Sequence, residues 1–121
     1  MILVDTSVWV DHFRNNNARL VELLADEQVL IHPFIIGELS LGSLRNRSEI
    51  IGLLSELPLA PVAEHGEVMA MIHKHKLFGT GIGWVDAHLI ASALLAHARL
   101  LSNDKALLQA GKVTGVIASH Q

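Results

Sequence analysis

Cysteine is absent from this 121-residue chain. Its absence excludes a disulfide framework, a thiolate metal centre and a cysteine nucleophile. Tyrosine is absent as well, and two Trp and three Phe bring the aromatics to only 4%. A stacking platform for single-stranded nucleic acid is therefore not advertised. No apolar run reaches the roughly 18 residues that a membrane span needs. The apolar start covers only four residues before the first acid, too few for the core of a signal peptide. We expect a soluble, cytoplasmic protein with no membrane association. A basic surplus is missing too: nine Lys and Arg face twelve Asp and Glu, a formal net charge of −3, which argues against a generally basic nucleic-acid-binding surface.

What is present is apolar residues, 50% of the chain with a mean hydropathy of +0.40. Such a chain suits one compact domain over 1–121, burying roughly two-thirds of its unfolded surface. Ile2-Leu3-Val4 reads as a short strand buried on both faces, as in a parallel sheet. Helices are expected over 8–14, over 18–26 after an Asn17 cap, and over 34–41 after Pro33. Further helices are expected over 49–57 after Ser48, over 64–78 with Gly79 as its stop, and over 84–98. The pattern ends with a short helix over 105–110 stopped by Gly111. Strands are expected over 29–31, 99–102 and 113–118, with an edge strand near the prolines of 57–62. The alternation predicts an α/β domain with short strands, a mainly parallel sheet and helices on both faces. Along the 84–98 helix and just past its end, His88, Ser92 and Arg99 fall on one polar side, with Asp86 off it in the apolar stripe. The eight histidines show no zinc-type pairing, and 79–83 is glycine-rich without the Lys-Ser/Thr of a phosphate loop.

Chemistry is carried by four acids. Asp5 and Asp104 directly follow predicted strands, at the sheet's carboxyl edge, where open α/β sheets bind ligands. Each has a bland alternative as a helix N-cap. Glu38 has Phe34, Ile35, Leu41 and Gly42 three and four residues away, an apolar stripe that calls for a partner to its charge. Asp86 has Leu89 and Ile90 at those spacings, with first-turn dipole stabilisation as its alternative role. If the four converge, they need a counter-charge. Mg²⁺ or Mn²⁺ fits an all-carboxylate set, and such ions activate water in phosphodiester cleavage. Thr6, Ser7, Ser102 and Asn103 are placed to orient the carboxylates by hydrogen bonds. A cation filling the site also changes the charge argument, because setting the four acids aside moves the balance from −3 to +1. Arg14, Arg45, Arg47, Lys74, Lys76 and Lys105 are then candidates for phosphate contacts, each with a solvated surface charge as its alternative.

Four pieces in order carry a family resemblance: Leu3-Val4-Asp5-Thr6-Ser7-Val8-Trp9, Ile36-Gly37-Glu38-Leu39, 81–89 around Trp84-Val85-Asp86, and Leu101-Ser102-Asn103-Asp104. Together they resemble PIN-domain ribonucleases, above all the VapC toxins of bacterial toxin–antitoxin pairs. The resemblance implies a PIN-like three-layer α/β/α fold and an acidic quartet of Asp5, Glu38, Asp86 and Asp104 on Mg²⁺ or Mn²⁺. It further implies RNA cleavage, a homodimer and an antitoxin partner. Ser102 stands where many members carry threonine, and the hydroxyl is kept. The antitoxin is expected in a groove between Val8, Trp9, Phe13, Leu20, Leu23, Leu24 and the Glu38 helix, reaching the acids with a basic side chain. Three other readings stand beside this one: a catalytically degenerate PIN-fold module that only binds RNA or protein, a DNA nuclease, and a phospho-receiver domain. The receiver lacks its acidic pair after the first strand and an acceptor Asp near mid-chain.

Overall fold

A computed structural model describes residues 1–118. The chain runs β1 (Ile2–Val4), α1 (Thr6–Asn15), α2 (Ala18–Ala25), β2 (Val29–Leu30), α3 (Pro33–Ser40) and α4 (Arg47–Leu54). It continues α5 (His65–His75), α6 (Trp84–Ala96), β3 (Arg99–Leu101) and α7 (Lys105–Thr114). The three strands pair in parallel in the order β2-β1-β3, with Leu3 opposite both Leu30 and Leu100. Single parallel bridges, Ile31 to Leu59 and Leu100 to Ile117, widen the sheet at both edges. Leu3, Val4, Ile31 and Leu100 are fully buried, which is why these runs carry no alternating polar face.

This order positions the site. Right-handed crossovers carry the chain from β1 outward to β2 and from β3 outward to the opposite edge. The helices following β1 and β3 therefore lie on opposite faces, and the carboxyl ends of these two strands flank a topological switch point. Asp5 N–H donates to the Leu101 carbonyl at 2.9 Å, so the ladder runs to the first acid.

Several boundaries differ from expectation. Helix α4 begins at Arg47 after a left-handed Asn46, ahead of the expected Ser48 cap. Helix α5 stops at a left-handed Lys76, before Gly79. Helix α7 runs through Gly111 and stops at Gly115, whose φ of 81° suits glycine. Gly111 is there for a close approach: a Cβ at this position would lie 2.6 Å from Ile117 Cγ1. The expected last strand shrinks to the Ile117 bridge, since Val113 belongs to α7. The edge strand near the prolines is likewise one bridge, at Leu59. His88 and Ser92 are buried, not on a solvated side, because α6 is covered almost all round. The expected tail, 119–121, lies outside the described residues.

Candidate active site

Asp5 sits at the N-cap position of α1, yet its side chain caps nothing. Its Oδ2 instead accepts hydrogen bonds from Ser7 Oγ at 2.7 Å and Ser102 Oγ at 2.8 Å. Each serine in turn accepts a backbone N–H from the loop after β3: Asn103 N–H on Ser7 Oγ and Asp104 N–H on Ser102 Oγ, both at 3.0 Å. Two parallel chains of N–H, hydroxyl and carboxylate thus tie the end of β1 to the end of β3. Bonds in such chains polarise one another, and the one that ends on a charge is the strong one. Asp5 and Ser102 are both buried, which keeps water from competing.

The other three acids are each held once. Thr6 Oγ1 donates to Glu38 Oε1 at 2.8 Å. Gly83 N–H donates to Asp86 Oδ2 at 3.1 Å. Asp104 caps α7, with Leu107 N–H on its Oδ1 at 2.9 Å. Capping does not consume Asp104, because a carboxylate has a second oxygen. All four acids share this form: one oxygen is fixed by the protein, and the other has no donor among the described residues.

The acids also feel one another. Burial raises the pKa of Asp86, and repulsion from Asp5, Asp104 and Glu38 raises it further, against the Gly83 N–H, which lowers it. Asp5, Asp86 and Asp104 lie at the starts of α1, α6 and α7, whose positive dipole ends offset part of the crowded charge. Among the described residues, no three histidine or acid side chains already stand gathered as ligands for an ion. The donor set still fits a hard divalent cation, being all oxygen, strongly anionic and pre-oriented at one oxygen of each acid.

Two expectations about these acids are corrected. Glu38 is exposed, not part of the buried stripe. It lies in the last turn of α3 beside Thr6, and Leu39 takes the inward position. Asp86 is half-buried, so its apolar neighbours cover one side only. Of the expected orienting residues, Thr6, Ser7 and Ser102 act through their side chains, whereas Asn103 acts through its backbone N–H.

The basic candidates separate. Arg14 and Arg45 line an open groove of about 730 Å³ with Thr6 and Glu38, so they share a groove with one of the four acids. Arg47 Nε is bonded to the Ser40 carbonyl at 2.8 Å. Lys105 is exposed next to Asp104, and Lys74 and Lys76 lie at the end of α5. The apolar groove also moves. Of the expected lining, Val8 and Leu20 are core residues and Leu23 lies off it, whereas the groove, about 470 Å³, runs between α1, α2 and α4 past Trp9, Phe13, Leu24, Ile50 and Leu53. Phe13 and Ile50 are shared with the Glu38 groove, so the two join.

Sequence reading passed over the ring contacts behind α6. His88 packs edge-on against Phe34 at 4.8 Å and Trp84 at 4.9 Å, and Trp84 meets His65 at 5.2 Å. The only sequence signal was aromatic and imidazole residues flanking two of the acids, Phe34 near Glu38 and Trp84 and His88 around Asp86.

Comparison with known proteins agrees with this geometry. The PIN domain family model matches residues 2–113. The chain belongs to the PIN-domain family. It is 46% identical over 122 aligned residues to Ribonuclease VapC32 of Mycobacterium tuberculosis strain CDC 1551 / Oshkosh, with 100% of this chain and 98% of the relative covered. The same figures hold for Ribonuclease VapC32 of strain ATCC 25618 / H37Rv. The three-stranded parallel sheet with helices over both faces is the α/β PIN fold expected.

Proposed function

We propose that this PIN domain is a VapC-type toxin, an endoribonuclease that needs Mg²⁺ or Mn²⁺ and hydrolyses RNA phosphodiester bonds. Asp5, Glu38, Asp86 and Asp104 are its metal-binding catalytic acids. The observation that carries the reading is the shared form of the four carboxylates, each with one oxygen anchored and one left over. The substrate class rests on the full-length likeness to proteins named ribonucleases. A metal held by these acids would supply Lewis-acid chemistry for activating water and stabilising a leaving oxygen. The chain's own work is orientation. Ser7 and Ser102 fix Asp5, Thr6 fixes Glu38, and Gly83 N–H fixes Asp86. Arg14 and Arg45, beside Glu38, draw the phosphate backbone into the groove. Lys105, exposed beside Asp104, is a further phosphate contact.

The same reading makes the domain a homodimer in the cytoplasm, held inactive by an antitoxin. No helix among the described residues is long and apolar enough to cross a membrane. The joined grooves suit an antitoxin segment with an apolar stretch followed by an arginine, which pairs with carboxylates through its planar fork. Exhaustive EDTA treatment should abolish cleavage of RNA by the purified protein, and Mn²⁺ should restore it. Activity that survives EDTA overturns the metal role. Induced expression should arrest growth, and an Asp5→Asn control should not. Equal growth of the two refutes the toxin reading.

A further inference from the structure

Two of the chain's five aromatic residues, Phe78 and Trp84, stand at the surface, 66% and 43% exposed. They line one cleft of about 210 Å³, between the end of α5 and the start of α6. The remaining walls are apolar or bare backbone: Ile72, Leu77, Ile82 and the backbone of Gly79 and Gly83. Gly83 belongs to both this cleft and the acid cluster, because its N–H holds Asp86. Gly81 has a φ of 91°, and a Cβ there would meet Ala106 at 3.8 Å, so the loop that forms the cleft rests on α7 just past Asp104. The Trp84 ring is braced by His88 and His65, so its orientation is set before anything binds. An apolar slot that exposes two aromatic side chains, one of them two residues from Asp86, has the size and lining for one unstacked nucleobase. Lys76, exposed at the end of α5, supplies positive charge two residues before Phe78.

We propose that the Phe78–Trp84 cleft holds a base of the RNA strand next to the scissile phosphate, and so positions the strand over the four acids. This rests on the ribonuclease reading. The base stacks on Trp84, Phe78 closes the slot, and recognition comes from the base's face and shape, not from phosphate charge.

The test uses single-stranded oligouridylate and oligoadenylate octamers, and an abasic octamer of the same length, with Ca²⁺ as the sole divalent cation and intact RNA verified on a gel. In a Trp9→Phe protein Trp84 is the remaining tryptophan, and its emission should be quenched saturably by at least one base-bearing octamer and not by the abasic one. Fluorescence polarisation should show Trp84→Ala and Phe78→Ala each weakening that octamer's binding about tenfold or more, with Trp84→Phe within about threefold of wild type. The slope of affinity against salt should be unchanged in all three, since no phosphate contact is lost. Unchanged affinity in both alanine variants, alongside cleavage by the wild type in Mg²⁺, overturns the base site and leaves the ribonuclease reading standing. Equal quenching by the abasic octamer also overturns it. So does light scattering in which the alanine variants are monomers and the wild type a dimer, because a second copy then covers the cleft. A wild type that neither binds nor cuts RNA overturns both readings at once.

Discussion

Replacing Ser102 with alanine should loosen the acid cluster without touching an acid. Ser102 is 2% exposed, and its hydroxyl donates to Asp5 Oδ2 at 2.8 Å and accepts the Asp104 N–H at 3.0 Å. A hydrogen bond to a charged group contributes about 1.5–3 kcal/mol. Ser7 still holds the same Asp5 oxygen, and Asp104 is exposed enough for water to take up its N–H. The loss should therefore fall near the lower end, roughly 2 kcal/mol. For a domain of this size that lowers the melting temperature by about 8 °C. The functional loss should be larger than the structural one. A ligand that loses an orienting partner typically costs 10–100-fold in metal affinity or activity, so the Mn²⁺ concentration for half-maximal cleavage should rise by about that factor. Thermal melting of the metal-free protein and a Mn²⁺ titration of cleavage read the two effects separately. Ser102→Thr keeps the hydroxyl and should retain most of both. A Ser102→Ala protein that melts within 1 °C of wild type and keeps its Mn²⁺ dependence would refute the claim that this hydroxyl holds Asp5.

Asp86→Asn should remove cleavage while melting at or above the wild-type temperature without metal, because it relieves burial of a charge that three other acids repel; a clearly lower melting temperature refutes that account. Protonation raises a second expectation, since burial and the neighbouring His88 push the pKa of His32 down to about 4. The unfolded chain then takes up a proton near pH 6.5 and the folded one only near 4, so stability present at neutral pH should fall by up to about 3 kcal/mol between those values. Urea melts across that range should show the loss, and His32→Asn should flatten it; an equal slope in the variant contradicts the assignment. Gly111→Ala should destabilise by about 1–3 kcal/mol, because the new Cβ meets Ile117 Cγ1 and Cδ1; an unchanged melting temperature shows that Ile117 moves freely. Cleavage should leave a 5′-phosphate and a 3′-hydroxyl, and a 2′,3′-cyclic phosphate product would point instead to attack by the RNA's own hydroxyl.

Much of the candidate site was legible along the chain because its parts are local. Asp5 and Asp104 are marked by apolar runs that stop on small polar residues, and a strand buried on both faces cannot hide that stop. The Asn17 cap and the start of α3 at Pro33 follow equally from neighbouring residues, with Asn17 Oδ1 accepting the Leu20 N–H at 2.9 Å. Gly111 shows where local reading fails. Glycine beyond a helical run signals a stop by its freedom at positive φ, yet here it is needed for its missing Cβ, against a side chain six residues further on. Glu38 fails for a related reason: neighbours three and four residues away name a helix face, but only packing decides which face is covered.

Residue order alone determined the kind of donor atoms on offer. Oxygen donors without thiolates suit hard cations over soft ones, because ligand type is a property of side chains and not of fold. Tertiary structure decided which oxygen of each acid is left over for a ligand. Ser7 and Ser102 reach Asp5 from positions 95 residues apart, and Thr6 reaches Glu38 across 32. Parallel pairing of β1 with β3 creates those contacts, and no periodicity in the chain encodes it. The same holds for the exposed rings. The chain has five aromatics, and the fold buries Trp9 while it leaves Phe78 and Trp84 exposed in a cleft that shares Gly83 with the Asp86 contact. Burial is a property of the packed whole, and composition counts residues without regard to it.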